Sequence, residues 1–489
     1  MERMESQKRN KETFDRISYL PEPILHHILS FLSTKDALKT SFLSKSWSNL
    51  WTSIRILDFD EFTFYNKDVM FYYHGELGDE EDDDKIKWEL KKQFADLIDR
   101  SLLPLEGQNI RELNINFDHI DDSILMTRVD PWVRFALTNV SLFRLDFSCG
   151  EPLEYCPENM YQLPPCSFPS KFLKVMELSC CQFMALEHNI SFPCLETVIL
   201  NQVQLYDTSV TDLIANSPHL ESLYLESCWF STHFIIDAPQ SQLKYLVLDS
   251  NDVDEQCHIS VPSLLHIQFF GVMPSNISVE NLSNLIDARL EFRYSVYSIY
   301  GGMLEMLCEL LNAMDHAKTL TLSNFCLQIL SLLEAGVAEL REYLPSPLYN
   351  LKHLTVKTDL NNYALVGLAC LLRISPNLEA FSIEFSYDNV RLVFGDDLFS
   401  EEYKHISKLD DSEFWESQLL LFPCLSHLEK VEINKFGGQK FEMGLVKYLL
   451  QKSFLLKEMV IIHDKCNNDE LEFLKELFKS RVCNTSAVM

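Results

Sequence analysis

Residues 195–225 read LETVILNQVQLYDTSVTDLIANSPHLESLYL. Leu195-x-x-Val198-x-Leu200 opens this stretch, and Leu220-x-x-Leu223-x-Leu225 closes it. In each unit the last two apolar positions are two apart, so they point to one side of a short strand. The first enters the core as the chain turns into that strand. Between the units, Ser209 to Asn216 carries apolar residues at helical spacing and stops before Pro218. The pattern recurs as Leu173-x-x-Met176-x-Leu178, Leu243-x-x-Leu246-x-Leu248, Leu264-x-x-Ile267-x-Phe269 and Leu285-x-x-Ala288-x-Leu290. The six units therefore open at Leu173, Leu195, Leu220, Leu243, Leu264 and Leu285, a nearly even step. Core strands of an ordinary α/β domain account for one such unit but not for a run of them at even steps. Strand followed by helix, repeated, predicts a solenoid built on one parallel sheet.

The pattern resembles that of leucine-rich repeats. The resemblance implies a buried Asn or Cys eight residues after the first apolar position, and that position holds Cys181, Val203, Cys228, Asn251 and Val272. The turns at the two valines are therefore expected to be irregular. More distant units flank the core, beginning with Ile110-x-x-Leu113-x-Ile115 and ending with Leu456-x-x-Met459-x-Ile461. Met303 to Met314 reads as another connecting helix. The fold class expected is α/β: a curved parallel sheet with helices outside, over 109–421, behind a small all-helical module. Strand alternation turns Glu177, Ile199, Tyr224, Val247 and Gln268 toward solvent on the concave side, where a bound target would touch them.

Residues 15–51 read DRISYLPEPILHHILSFLSTKDALKTSFLSKSWSNLW. Pro21 and Pro23 suit the first turn of a helix, and Ile24, Leu25, Ile28, Leu29 and Leu32 follow at helical spacing. Ser33 or Thr34 can cap a second helix with Asp36 in its first turn, and Ser44 a third carrying Trp47, Leu50 and Trp51. So short a unit cannot bury all its apolar surface, which points to a partner.

This segment closely resembles an F-box of the plant type. The matching residues are Asp15-Arg16-Ile17, Leu20-Pro21, Ile28 to Leu32, Thr34-Lys35-Asp36-Ala37, Thr40-Ser41, Leu43-Ser44-Lys45, Trp47 and Leu50-Trp51. The resemblance implies docking on a Skp-type adaptor, and through it on a cullin, by Leu20, Pro21, Ile24, Leu25, Ile28, Leu29, Leu32, Ser41, Leu43, Ser44 and Trp47. Ser33 stands where that family often has Pro, and Ser46 and Ser48 where it usually has Arg. A bare N-terminal cap for the solenoid is the alternative reading of the segment.

Residues 1–11 are expected to be disordered and 12–57 to form the F-box, followed by an acidic linker and helix over 58–108. Glu80-Glu81-Asp82-Asp83-Asp84 marks the linker, and a helix is expected from Ile86 to Leu103. Over 422–489, a strand ending near Phe436, a helix from Glu442 to Leu450, a strand from Leu456 to Ile462 and a capped helix from Leu471 to Phe478 are similar to the FBD module. The bland reading is a C-terminal cap. Residues 384–421 interrupt the repeat with Asp396-Asp397 and Glu401-Glu402. F-box, repeats and FBD in this order resemble the plant F-box/FBD/LRR-repeat family.

Composition narrows the function. Lys and Arg number 42 against 72 Asp and Glu, a net charge of −30. From Met1 to Leu57 basic side chains outnumber acidic ones, so the rest of the chain carries the acidity. Phosphate neutralisation needs clustered bases, so neither nucleic acid nor an anionic membrane is expected as a partner. The opening MERMESQKRNKETFD has no apolar leader, and 14 cysteines form no CxxC pair. Reduced thiols and a cytoplasmic or nuclear location are expected. No phosphate-binding glycine loop, nucleophile elbow or HExxH motif occurs, and His463-x-x-Cys466 lacks a second ligand pair. No cofactor, metal or catalytic residue is expected. The leading expectation is a non-catalytic subunit of an SCF-type ubiquitin ligase that recognises an unknown protein substrate. The alternatives are a non-degradative repeat scaffold or a small-molecule receptor of the F-box class.

Overall fold

The computed structural model describes residues 17, 19–65, 80–117, 123–147, 160–163, 170–183, 191–206, 208–230, 233–250, 256–274, 276–293, 302–334, 345–385, 424–463 and 486–488. The chain divides into two compact units, Met1–Leu153 with Phe168–Glu177, and Glu154–Ser167 with Leu178–Met489. The expected disordered residues 1–11 lie outside the described residues.

In the first unit, helices Glu22–Leu29 and Thr34–Thr40 form as the spacing predicts. Ser33 Oγ accepts the Asp36 amide at 3.2 Å and caps the second helix. Thr34 turns its hydroxyl inward instead, where it accepts the Asp58 amide at 2.7 Å. The third α-helix does not form. Residues 45–49 turn, and only Leu50–Ser53 winds into a 3-10 helix. Ser48 bonds back to the Lys45 carbonyl and Thr52 to that of Asn49, competition that keeps such residues out of α-helices. Trp47 and Trp51 are buried all the same.

A strand not expected from the sequence follows at once, Ile56–Asp60. Ile54-x-x-Leu57-x-Phe59 is the repeat pattern itself, set against the end of the F-box motif. The strand pairs in parallel with Ile110–Asn116, matching Leu57 to Leu113 and Phe59 to Ile115, and that strand pairs with Val140–Asp146. The parallel sheet thus includes a strand ahead of residue 109, Ile56–Asp60. The acidic run also opens a helix, Glu80–Leu102, where a linker was expected. Phe64, Phe94, Phe117 and Trp132 form a chain of rings at 5.4, 5.4 and 6.1 Å through the core. Asp99 ties helix Glu80–Leu102 to helix Ser123–Asn139, accepting from Trp132 Nε1 at 2.6 Å and from Arg128.

The second unit repeats one parallel strand through Thr197–Asn201, Ser222–Glu226, Tyr245–Ser250, His266–Val272, Asp287–Arg293, Thr319–Ser323, His353–Thr358, Ala380–Phe385, Lys430–Phe436 and Glu458–His463, with Ser486–Val488 paired beside the last. Most of these strands alternate buried positions with more exposed ones, so Leu200, Leu225, Leu290, Val356 and Ile433 fill the interior. The connections differ from the expected helices in part. Helices Ser209–Ala215, Met303–Ala313, Asn324–Leu330, Asn362–Ile374 and Lys440–Lys452 are present. Elsewhere short strands replace them, as in the parallel trio His233–Asp237, Gln256–Ser260 and Asn276–Glu280.

The valine turns are regular, contrary to expectation. Cys180, Gln202 and Ser227 take the left-handed conformation at φ 55°, 51° and 51°, and Gly271 takes it at 82°. The amides of the first three donate to the carbonyls of Asn201, Glu226 and Asp249 at 3.1, 2.8 and 2.9 Å. Backbone therefore closes the turn, and the next residue need only fill apolar space, which Val203 does as well as Cys181. Near the C-terminus, Glu442 Oε2 accepts the amides of Gly437 and Gln439 at 2.9 and 3.0 Å. The acidic interruption within 386–421 and the expected helix Leu471 to Phe478 lie outside the described residues.

Candidate docking surfaces

The 3.6-residue period divides the first F-box helix into two faces. Leu25 and Leu29 turn inward and are buried, as is Trp47 on the following turn. These three pack into the core of the module rather than lying on its exposed face. Ile24, Ile28, Leu32 and Leu43 are exposed, Pro21 is exposed beside them, and Leu20, Ser41 and Ser44 are half-buried. Two exposed aromatics outside the expected docking set share this module. Phe31 is 76% exposed and Phe42 89%. Both lie in the turns just past the helices Glu22–Leu29 and Thr34–Thr40. Phe31 packs its ring edge-on against His27 at 4.8 Å.

On the repeat sheet of the second unit, Ile199, Tyr224, Val247 and Gln268 stand opposite one another in register. They form one half-exposed row on the solvent side. The row continues through Arg289, Thr321, Thr355, Ser382 and Glu432, so its apolar part is confined to the first three strands. Beside it Tyr245 stacks on His266, with centroids 4.5 Å apart and planes within 4°. Glu177, the remaining expected contact residue, belongs to the first unit. It is held by Arg144, which also binds Glu112 at 2.8 Å.

An apolar recess in the second unit is lined by Phe230, Phe234, Phe269 and Phe292, with Asp249 its one charged lining residue. Burial raises the Asp249 carboxyl above the ordinary value, and Arg293 and the Ser227 hydroxyl partly offset this. Among the described residues, no three His, Cys, Asp or Glu side chains are gathered to hold a metal, and no helix is long and apolar enough to cross a membrane. Cys466 lies outside the described residues.

The family described as At1g61320/AtMIF1, LRR domain matches residues 105–485, and the F-box domain family matches residues 17–59. The chain belongs to the F-box and LRR-repeat proteins. F-box protein At3g59000 of Arabidopsis thaliana is 29% identical over 480 residues, covering 94% of this chain and 88% of its own. F-box/LRR-repeat protein At5g38396 of the same plant is 26% identical over 490 residues, covering 95% and 96%. A third, named as an F-box/FBD/LRR-repeat protein, At3g59240, is 24% identical over 502 residues, covering 97% and 89%. The F-box match ends at residue 59, inside the strand Ile56–Asp60.

Proposed function

We propose that this F-box/LRR-repeat chain is the substrate-recognition subunit of an SCF-type cullin ubiquitin ligase. Its F-box docks on a Skp-type adaptor through Ile24, Ile28, Phe31, Leu32, Phe42 and Leu43, and the adaptor connects it to the cullin. The carrying observation is the exposure of these six large apolar side chains on a module whose own core is already complete. The repeats hold a target protein, with the Ile199–Tyr224–Val247–Gln268 row as the contact strip. The chain itself transfers nothing. It raises the local concentration of the target's lysines near activated ubiquitin. It acts in the cytoplasm and/or nucleus, where its thiols stay reduced.

The test is binding of the full chain to a purified Skp-type adaptor, beside a variant carrying Ile28→Ser, Phe42→Ala and Leu43→Ala. Binding that the triple change weakens at least tenfold supports the docking surface. No binding by the folded wild-type chain overturns the ligase reading and leaves a repeat scaffold. Ser46 and Ser48, both exposed where the family usually carries Arg, are the feature that favours that second reading.

A further inference from the structure

Thr34-Lys35 belongs to the F-box motif, yet both side chains turn away from the exposed apolar residues and toward the repeat sheet. Thr34 is buried, and its hydroxyl accepts the Asp58 amide at 2.7 Å. Asp58 lies on Ile56–Asp60, the edge strand of the first unit's sheet, whose outer side has no neighbouring strand among the described residues. Lys35 Nζ donates to the carbonyls of Thr63 and Phe64 at 3.0 and 2.6 Å and lies 5.3 Å from the centre of the Phe64 ring. It thereby closes the C-terminal end of the short helix Glu61–Phe64. That helix is joined to the edge strand by Asp60, which caps it by accepting the amides of Phe62 and Thr63.

We propose that Thr34 and Lys35 are positioning residues that lock the docking helices onto the first repeat strand. The F-box is then the N-terminal cap of the repeat sheet as well as a docking module. An open sheet edge presents unpaired amides that recruit other chains, and proteins cover it with a helix or loop. Here the covering element is the Thr34–Thr40 helix, and two adjacent residues make the join. Thr34 satisfies an edge amide of the strand. One residue on, Lys35 holds the helix that leaves the strand's far end. The two anchor points fix rotation as well as position, so the docking helices and the first strands move as one piece. The inference builds on the docking reading only in what it says the lock is for. The lock itself is a property of this chain alone.

The experiment measures the geometry directly in the full chain. Lys45 and Arg111, both exposed, are replaced by p-acetylphenylalanine carrying spin labels, which spares the 14 native cysteines. Double electron–electron resonance then gives the distance distribution between the F-box and the Ile110–Asn116 strand. The expected result is one narrow distance in the wild type. Thr34→Val combined with Lys35→Met should broaden it at least twofold, and Thr34→Ser should leave it narrow. Amide exchange at Asp58 should rise about tenfold in the nearly isosteric Thr34→Val and remain slow in Thr34→Ser. A broad wild-type distribution, or a double variant as narrow as the wild type, overturns the proposal. Adaptor binding is measured in parallel and should be unchanged in Thr34→Val. Its absence in the wild type counts against the docking reading, while the distance distribution still decides the lock.

Discussion

The backbone of Gly367 lies against the carbonyl of Leu327, so closely that a β-carbon at Gly367 would sit 1.7 Å from that oxygen. The two residues belong to helices Asn362–Ile374 and Asn324–Leu330, which cross at this point. Helix propensity alone favours Ala over Gly by about 1 kcal/mol. The clash is with backbone, which cannot swing aside, so it wins. Gly367→Ala should destabilise the second unit by about 3 kcal/mol or more, seen as a fall in thermal midpoint or as loss of soluble protein. An unchanged midpoint would show that the helices can part at no cost.

Leu29 and Phe42 separate folding from docking. Leu29 is 0% exposed, and Leu29→Ala should cost about 2–5 kcal/mol through the cavity it leaves. Phe42 is almost wholly in solvent, and Phe42→Ala should change stability by less than about 0.5 kcal/mol. Urea unfolding of both variants beside adaptor affinity checks the pair. Phe42→Ala should lose affinity with its unfolding curve unmoved.

Asp249 makes stability depend on pH. Burial raises its folded-state pKa, so the folded protein binds the proton more tightly than the unfolded chain does. Its contribution is fully present below the unfolded value of about 3.9 and is lost as pH rises through the folded value. Asp249→Asn should therefore raise the thermal midpoint at pH 7. The gain over wild type should vanish in acid. A gain that is equal at pH 7 and pH 4 would assign it to packing instead.

The cysteines should differ sharply in reactivity. Burial raises the Cys308 thiol to about 12 and the Cys326 thiol to about 11, whereas Cys424 is exposed. The thiolate is the nucleophile, so at pH 8 a thiol reagent should modify Cys424 within minutes. Cys308 and Cys326 should react only when the chain unfolds. Mass spectrometry of the labelled peptides reads this out.

Much of the fold was legible because short-range chemistry determines it. Leu195, Val198 and Leu200 recur at a spacing that only a stacked strand satisfies, and the structure buries all three. Ser33 could be seen as a cap because its oxygen needs only the amide three residues on. Ile54-x-x-Leu57-x-Phe59 was equally visible as a pattern, but it overlaps the end of the F-box motif, which hides it. The third F-box helix misled because Trp47 and Trp51 have helical spacing while the serines and Asn49 around them favour turns.

The docking surface was only half legible. Ile24, Leu25, Ile28 and Leu29 are alike as residue types, and the sequence placed all four at the adaptor. Which pair faces inward depends on where Trp47 and Trp51 fold back against the helix. The repeat row was more readable. Strand alternation put Ile199, Tyr224, Val247 and Gln268 on the solvent side, and parallel register aligned them. Alternation alone could not show that Arg144 already occupies Glu177.

By itself, the sequence determined the repeat, the order of F-box before repeats, and the side of each strand that fills the core. All of these follow from periodicity along the chain. Tertiary structure alone decided that Thr34 and Lys35 serve the repeat sheet, that Leu29 is core and Phe42 surface, and that Gly367 permits two helices to touch. Each of these depends on a contact between segments well separated along the chain or on the approach of two backbones, and local spacing carries no record of either.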